Sequence, residues 1–327
     1  MSTISAAYQA KISIIVPAFR AEGSIETCVQ SLQQQDLREI EVVVVNDCSP
    51  DRTGELVARL AADDPRIRLL TPEQNLGVHG ARRLGLSVST GDYIGFVDAD
   101  DFVEPNMYST LLQRLEDDVA SIAICSAALV SNGRRLAVLR VGMRRTEVVT
   151  DDILPRFCRL KFGSGVLWNK LYKREVILGP GLLELEREVD ASEDYIVNFG
   201  AFAAARTVTV CTDPLYNFVA HDSNASGQQG WPVFARLFRA YVVCLEKYAE
   251  QEPSLAPLID ELYLKQLHYP NYNMGQHGAP SPDVLEHIAT SIQRMANVSP
   301  LSIYSILHAL PLRYARLNRV LNALGKG

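Results

Sequence analysis

Short runs rich in Val and Ile alternate with stretches of helical period through about the first hundred residues, and this alternation restricts the chain to βαβ units feeding a parallel sheet. Residues 12–16 (I-S-I-I-V) and 41–45 (E-V-V-V-V) are near-continuous apolar runs, as strands covered on both faces must be. Between them Ile25, Cys28, Val29 and Leu32 recur at helical spacing, which predicts a crossover helix over residues 23–34. The pattern then repeats: a helix over 51–61, a strand over 66–70, a helix over 76–89 and, after the turn at Gly91 and Asp92, a strand over 93–97. Pro105 suits the first turn of the next helix.

In open α/β sheets ligands bind beyond the carboxyl ends of the strands, so the residues that follow each strand carry the chemistry. Here they are P-A-F-R-A-E (residues 17–22), N-D-C-S-P-D (46–51) and D-A-D-D (98–101). Asp98, Asp100 and Asp101 repel one another unless a cation sits among them, and hard divalent ions prefer oxygen ligands, so the acidic run implies a Mg²⁺ or Mn²⁺ site. An acidic loop or a helix cap is the competing reading. No G-x-G-x-x-G follows the first strand and no Walker-type phosphate loop occurs, which removes the best support for redox or ATPase chemistry. No G-x-S-x-G elbow points to a hydrolase.

Past residue 120 two apolar segments, 121–130 and 135–141, flank S-N-G, a hairpin signal. From Trp231 onward the pattern is helical, punctuated by Pro253, Pro257, Pro270, Pro280, Pro282, Pro300 and Pro311. The expected organisation is a tail over 1–10, an α/β domain over 11–226 and a helical region over 227–327.

Several of these motifs, in this order, resemble the inverting glycosyltransferases of family 2, which have the GT-A fold. I-I-V-P-A-F-R-A-E (14–22) is similar to the family's opening strand and nucleotide turn, and V-V-N-D-C-S-P-D-R-T (44–53) to its V-D-D-G-S-T-D-G-T. N-L-G-V-H-G-A-R-R-L-G (75–85) resembles N-x-G-x-x-x-A-R-N-x-G, and Y-I-G-F-V-D-A-D-D (93–101) resembles Y-I-x-F-L-D-A-D-D. W-N-K-L-Y-K-R-E (168–175), E-D-Y (193–195) and Y-N-F-V-A-H-D-S-N-A-S (216–226) look like later family blocks. Asn46, Cys48 and Arg83 depart from the pattern, standing where it has Asp, Gly and Asn.

The resemblance implies a Rossmann-like, mostly parallel sheet flanked by helices, with a helical C-terminal region. It also implies transfer of a sugar from a nucleotide-diphosphate sugar, with UDP-sugar expected, to a hydroxyl of a glycan or lipid-linked acceptor. Pro17, Ala18, Phe19, Glu22, Asn46 and Asp47 would line the nucleoside pocket, with Asp47 accepting from uracil N3. Arg82 would reach a uracil carbonyl or a phosphate, and Asp98 and Ala99 would meet ribose or sugar. Asp100 would ligate Mn²⁺ or Mg²⁺, with His221 completing that shell or touching a phosphate oxygen. Asp101, Trp168 and Lys170 would face the donor or acceptor sugar, against core packing as the other reading of Trp168. Asp194 would be the general base with Glu193 beside it, although acidic residues also favour a helix start through its dipole. A sugar nucleotidyltransferase and an inactive nucleotide-sugar-binding module are the alternatives. The first would be expected to show a Gly- and basic-rich loop, which residues 17–22 lack, and the second would tolerate loss of Asp100 or Asp194.

With 38 acidic against 32 basic residues, the net charge of −6 offers no footprint for a nucleic acid. The six cysteines are dispersed without a C-x-x-C pair, as expected of reduced thiols in a cytoplasm, and the N-terminus shows no secretory pattern. No apolar run reaches the roughly 20 residues a spanning helix needs. Residues 301–324 set Leu and Ile on one side and Arg313, Arg316 and Arg319 on another. Such a helix fits peripheral contact with the inner face of a membrane, an ordinary packing role or a contact in a homo-oligomer.

Overall fold

Seven residues of β1 (Ile12–Ala18) pair in parallel with β2 (Ile40–Asn46), from Ile12 opposite Ile40 to Ala18 opposite Asn46. All of β2 and every β1 residue except Pro17 is buried, the burial that continuous Val and Ile runs demand. The structure is a computed structural model and describes residues 10–179, 185, 189, 192–221, 230–267 and 281–302.

The predicted crossover is α1 (Ile25–Gln33), and the residues it buries are Ile25, Cys28, Val29 and Leu32. Next come α2 (Thr53–Asp63), β3 (Ile67–Leu70), α3 (Gly77–Val88) and β4 (Tyr93–Phe96). The chain steps outward from β1 to β2 to β3, and α3 then carries it back so that β4 pairs with the other side of β1, again in parallel. The order therefore reverses between β1 and β4, and at such a switch point the loops beyond the two strands part to leave a crevice. Gly95 permits a close approach on β4: a Cβ there would stand 2.7 Å from the Tyr108 ring.

After β4 come β5 (Phe102–Val103) and α4 (Met107–Asp117), with Pro105 in the turn just ahead of the helix. The hairpin is β6 (Ile122–Ser131) and β7 (Arg134–Val141). Its two turn residues, Asn132 and Gly133, have φ of 50° and 69°, the left-handed pair that a tight hairpin of this length requires. Then follow β8 (Glu147–Val149), α5 (Ile153–Cys158), β9 (Lys170–Lys173), α6 (Arg174–Leu178), α7 (Glu193–Ala204) and β10 (Val208–Ala220). The main strand order is β3-β2-β1-β4-β9-β6-β10-β5. It is parallel from β3 to β4 and mixed beyond, where β9 runs antiparallel to both neighbours and β10 runs parallel to β6.

Glu41 pins the amino end of the parallel half. Its Oε1 accepts from Ser13 Oγ (2.6 Å), the Thr90 backbone N–H (2.5 Å) and Thr90 Oγ1 (2.8 Å), and its Oε2 from Arg68 (3.1 Å). Burial alone would push this carboxyl up, but the hydrogen bonds outweigh it and hold Glu41 below the ordinary glutamate value. A lowered carboxyl stabilises the folded state above its unfolded pKa, about 4.3, and that contribution is lost as pH falls through the folded value. We expect Glu41→Gln to lose about 1.5–3 kcal/mol at pH 7, the usual size for hydrogen bonds to a charged group. In thermal unfolding its gap to the wild type should narrow as pH is lowered toward 3.

The described residues divide into two units. The first lies within Met1–Ile153, Phe162–Arg187 and Gly200–His221, and the second within Leu154–Lys161, Glu188–Phe199 and Asp222–Gly327. In the second, α8 (Trp231–Cys244) runs on through a π-helical stretch, Leu245–Ala249, and is followed by α9 (Ala256–Leu267) and α10 (Pro282–Val298). Tyr241 of α8 stacks on Tyr263 of α9 with ring centroids 4.9 Å apart, and its hydroxyl donates to Asp260, which also accepts from Ser302 at 2.7 Å. Among the described residues no helix is long and apolar enough to cross a membrane. The basic helix expected over 301–324, with Arg313, Arg316 and Arg319, lies outside the described residues beyond Ser302.

Candidate active site

The turns that leave β1 and β2 are laced together by backbone N–H groups. Arg20 N–H donates to Ser49 Oγ (3.1 Å), Ala21 N–H to Thr53 Oγ1 (2.9 Å) and Glu22 N–H to Asp51 Oδ2 (3.2 Å), while the Glu22 carboxylate accepts from Arg52 N–H (3.1 Å). Arg20 and Cys48 both have positive φ, 53° and 57°. The second value explains why a Gly suits the position that Cys48 occupies. Ala18 is buried and Pro17 half-buried, whereas Phe19 is 48% exposed beneath the Arg20 guanidinium, 5.3 Å from its ring centre. Asn46 is buried and accepts from Ser49 N–H at 3.3 Å.

Asp47 is buried, and its two carboxylate oxygens accept from Leu76 N–H (2.6 Å) and Gly77 N–H (2.9 Å). Asn75 Nδ2 donates to its carbonyl at 2.8 Å. A carboxylate at this place satisfies donors that the start of α3 leaves open and complements the helix dipole. Asp47 thereby fixes the helix that carries Arg82, and Arg82 donates from the interior to Asp98 Oδ1 at 2.9 Å.

The acidic run is three carboxylates in three different settings. Asp98 is held by Arg82, and its backbone N–H donates to the Tyr216 hydroxyl at 3.2 Å. Asp101 is 2% exposed and ties the loop to β10, accepting from Tyr216 O–H (2.7 Å) and Val219 N–H (2.7 Å). Burial first, then the nearby Asp98 and Asp100 charges, push the Asp101 carboxyl up to about 8. Asp100 instead reaches outward, with Oδ2 2.7 Å from His221 Nε2 and both side chains partly exposed. Ala99 between them is buried.

Tyr216 and Val219 are the partners that sequence reasoning missed. The tyrosine opens the motif over residues 216–226 and sits among apolar neighbours, signals that mark the position without saying what its hydroxyl meets. Tyr216→Phe keeps the ring, which stacks on Trp168 at 4.3 Å, and removes both the acceptor for Asp98 N–H and the donor to Asp101. We expect a loss of about 1–3 kcal/mol in denaturant unfolding, as for a buried group deprived of its partner. An unchanged midpoint would show that the hydroxyl carries no weight.

Among the described residues, no three His, Cys, Asp or Glu side chains form a ready-made cation cage. Asp100 and His221, 2.7 Å apart on an open edge, could offer two ligands to a cation. That suits an ion such as Mg²⁺, which keeps several waters and takes the rest of its shell from substrate phosphates. Trp168 is 3% exposed and also stacks on Phe218, and Lys170 is fully buried, donating to Asn169 Oδ1 at 2.8 Å and to the Val166 carbonyl. The contacts of both residues described here are thus internal to the first unit. Glu193 is buried and Asp194 half-buried in the first turn of α7, both in the second unit. Residues 222–226 of the last motif lie outside the described residues.

The sequence profile of Glycosyl transferase family 2 matches residues 13–178, more than half of the chain. The chain belongs to that family. A relative from Bacillus subtilis (strain 168), named uncharacterized glycosyltransferase EpsJ, is 35% identical over 208 residues, covering 63% of this chain and 60% of the relative. This family 2 chain thus spans about three fifths of the length of the curated relatives it matches first. Among solved structures, S. aureus TarS 1-349 in complex with UDP-GlcNAc superposes with a TM-score of 0.70 at 19% identity, over 96% of this chain and 89% of that 1-349 chain. The mannosyltransferase PcManGT from Pyrobaculum calidifontis, in complex with GDP-Man and Mn²⁺, gives 0.54 at 18% identity, over 97% of this chain and 86% of that one. At such identities the likeness establishes the fold, the GT-A arrangement of a central sheet flanked by helices with a helical C-terminal region.

Proposed function

We propose that this family 2 chain is an inverting, metal-dependent glycosyltransferase that moves a sugar from a UDP-sugar to a hydroxyl of a glycan or lipid-linked acceptor. The observation that carries the reading is the set of groups at the switch point between β1 and β4. There Asp98 is clamped by buried Arg82, Asp100 and His221 face outward, and the open Phe19 turn lies beyond the neighbouring strand. The TarS complexes with UDP and UDP-GlcNAc support the choice of donor.

In this mechanism Phe19 and the 17–22 turn receive the nucleoside. The Asp47 oxygens, each already accepting one backbone N–H, keep a further lone pair for uracil N3–H. Asp98 holds a ribose or sugar hydroxyl. Asp100 and His221 would hold Mn²⁺ or Mg²⁺, which when bound neutralises charge on the leaving diphosphate. Asp194 takes the proton from the acceptor hydroxyl as that oxygen attacks the anomeric carbon from the face opposite UDP. A single in-line displacement of this kind inverts the configuration.

The test is a thermal-shift comparison of UDP, CDP and GDP with Mn²⁺ and with EDTA. At 100 times its dissociation constant a ligand adds about 2.7 kcal/mol of stability, so UDP with Mn²⁺ should raise Tm by several degrees and the other nucleotides by less. A larger shift with GDP or CDP would overturn the uracil assignment while leaving the fold and family in place.

A further inference from the structure

Strand β7 departs from the burial of the rest of the sheet. Residues 134–140 are all exposed, and only Val141 at its end is buried. Leu136 is 41% exposed, Val138 67% and Leu139 40%, and nearby Val148 of β8 is 49% exposed. These four make up half of the exposed large hydrophobic residues among the described residues. The ladder shows how they are thrust out. Val130 faces Arg135 and Ala128 faces Leu139, so two steps along β6 correspond to four along β7, and residues 136–138 bulge from the edge.

Around this apolar bulge the charge is almost purely basic. Within residues 134–148, Arg134, Arg135, Arg140, Arg144 and Arg145 stand against one acid, Glu147, a segment charge of +4 in a chain whose net charge is −6. Arg135 is held by Glu104 (2.7 Å) and the Pro214 carbonyl, Arg140 lies over the Phe218 ring, and Arg145 pairs with Glu147. Arg134 and Arg144 are exposed and make no ion pair among the described residues. Charges on an edge strand can simply prevent sheet-to-sheet pairing, but that role gives no reason for Leu136 and Val138 to project between them. A second copy pairing through β7 would bring like charges together across the new ladder.

We propose that the β6–β7 hairpin, with residues 142–148, is a docking surface for an anionic phospholipid bilayer. Leu136 and Val138 enter the boundary between headgroups and acyl chains, while the arginines pair with lipid phosphates, the division of labour seen at amphipathic interfacial surfaces. The surface lies within the first unit at the sheet end that carries the acidic loop. Val130 and Ser131 pair with Val219 and Ala220, immediately before His221. This proposal stands apart from the choice of nucleotide.

The test is flotation of the full chain with vesicles of phosphatidylcholine alone or mixed with phosphatidylglycerol. The wild type should float with the mixed vesicles and stay behind with the neutral ones. The pair Arg134→Glu and Arg144→Glu, and separately the pair Leu136→Ser and Val138→Ser, should each weaken binding at least tenfold, a loss of roughly 1.4 kcal/mol or more. Neither pair touches the nucleotide site, so the Tm shift with UDP should be unchanged, which also reports intact folding. Equal binding to both vesicle types, binding to neither, or full retention by the variants would overturn the assignment, the last by placing lipid contact elsewhere. Loss in the arginine pair with full retention in the apolar pair would reduce the surface to a polyanion contact and overturn the bilayer. A wild-type dimer in light scattering that the apolar pair dissociates would assign the face to a second copy instead.

Discussion

Asp194→Asn is expected to lower the transfer rate by roughly 10²–10⁴-fold while leaving UDP-sugar affinity nearly unchanged. The substitution keeps shape and hydrogen-bonding capacity and removes only the proton acceptor. In the proposed mechanism the carboxylate acts only as the acceptor hydroxyl loses its proton, so the loss should fall on kcat. Asp194 also lies in the first turn of α7, where an acidic side chain favours the helix on its own account. The two roles separate cleanly. Asn gives up only the charge–dipole term, about 0.3–1 kcal/mol of stability, so a residue kept only for the helix would leave the Asn variant active. A purified Asp194→Asn protein that retains most of its rate would remove Asp194 from the chemistry and make Glu193 the next residue to change.

Asp100→Ala should abolish the advantage that Mn²⁺ gives to UDP binding. Losing an outer-sphere partner of a metal ligand already costs roughly 10–100-fold in metal affinity, and losing a ligand outright should exceed that. Calorimetry of UDP binding in Mn²⁺ and in EDTA reads the effect. The wild type should bind far more tightly with the cation, and the variant should bind with the same weak affinity in both. If the wild type binds equally well in EDTA, the metal role of Asp100 and His221 is wrong. His221→Ala should shift the same way by a smaller factor, because a neutral imidazole contributes less to holding a dication than a carboxylate does.

The half of the sheet from β3 to β4 was legible because fully buried parallel strands leave unbroken apolar runs and the helices between them keep a 3.6-residue period. The strands that complete the sheet were harder to read for definite reasons. β5 is two residues long. β9 is four residues, begins and ends with Lys and buries the first of them. β10 is interrupted by Asp213 and Pro214, where its register against β6 shifts. The site divided along the same line. The residue types after each strand declared a place for charge, but not that Arg82, expected to reach a uracil carbonyl or a phosphate, pairs with Asp98. Asp101 did not declare itself, because an acid beside two others reads as one more outward ligand. Its burial depends on Tyr216 and Val219, more than a hundred residues away, and contacts at that separation leave no local pattern.

That separation bears on when the protein becomes competent. The parallel strands and the helices between them are complete within about the first hundred residues, and their mutual pairings use no residue beyond Phe96. The acidic loop, by contrast, is held in shape by a strand 118 residues further along the chain, so closing it must wait for β10 to be made and threaded beside β6. During synthesis at roughly 5–20 residues per second, the nascent chain would pass through an interval of several seconds in which β1 to β4 have been made but the acidic loop has no anchor. On the proposed function, nucleotide affinity would arrive late and report finished folding, so truncations that end before Tyr216 should gain no stability from UDP.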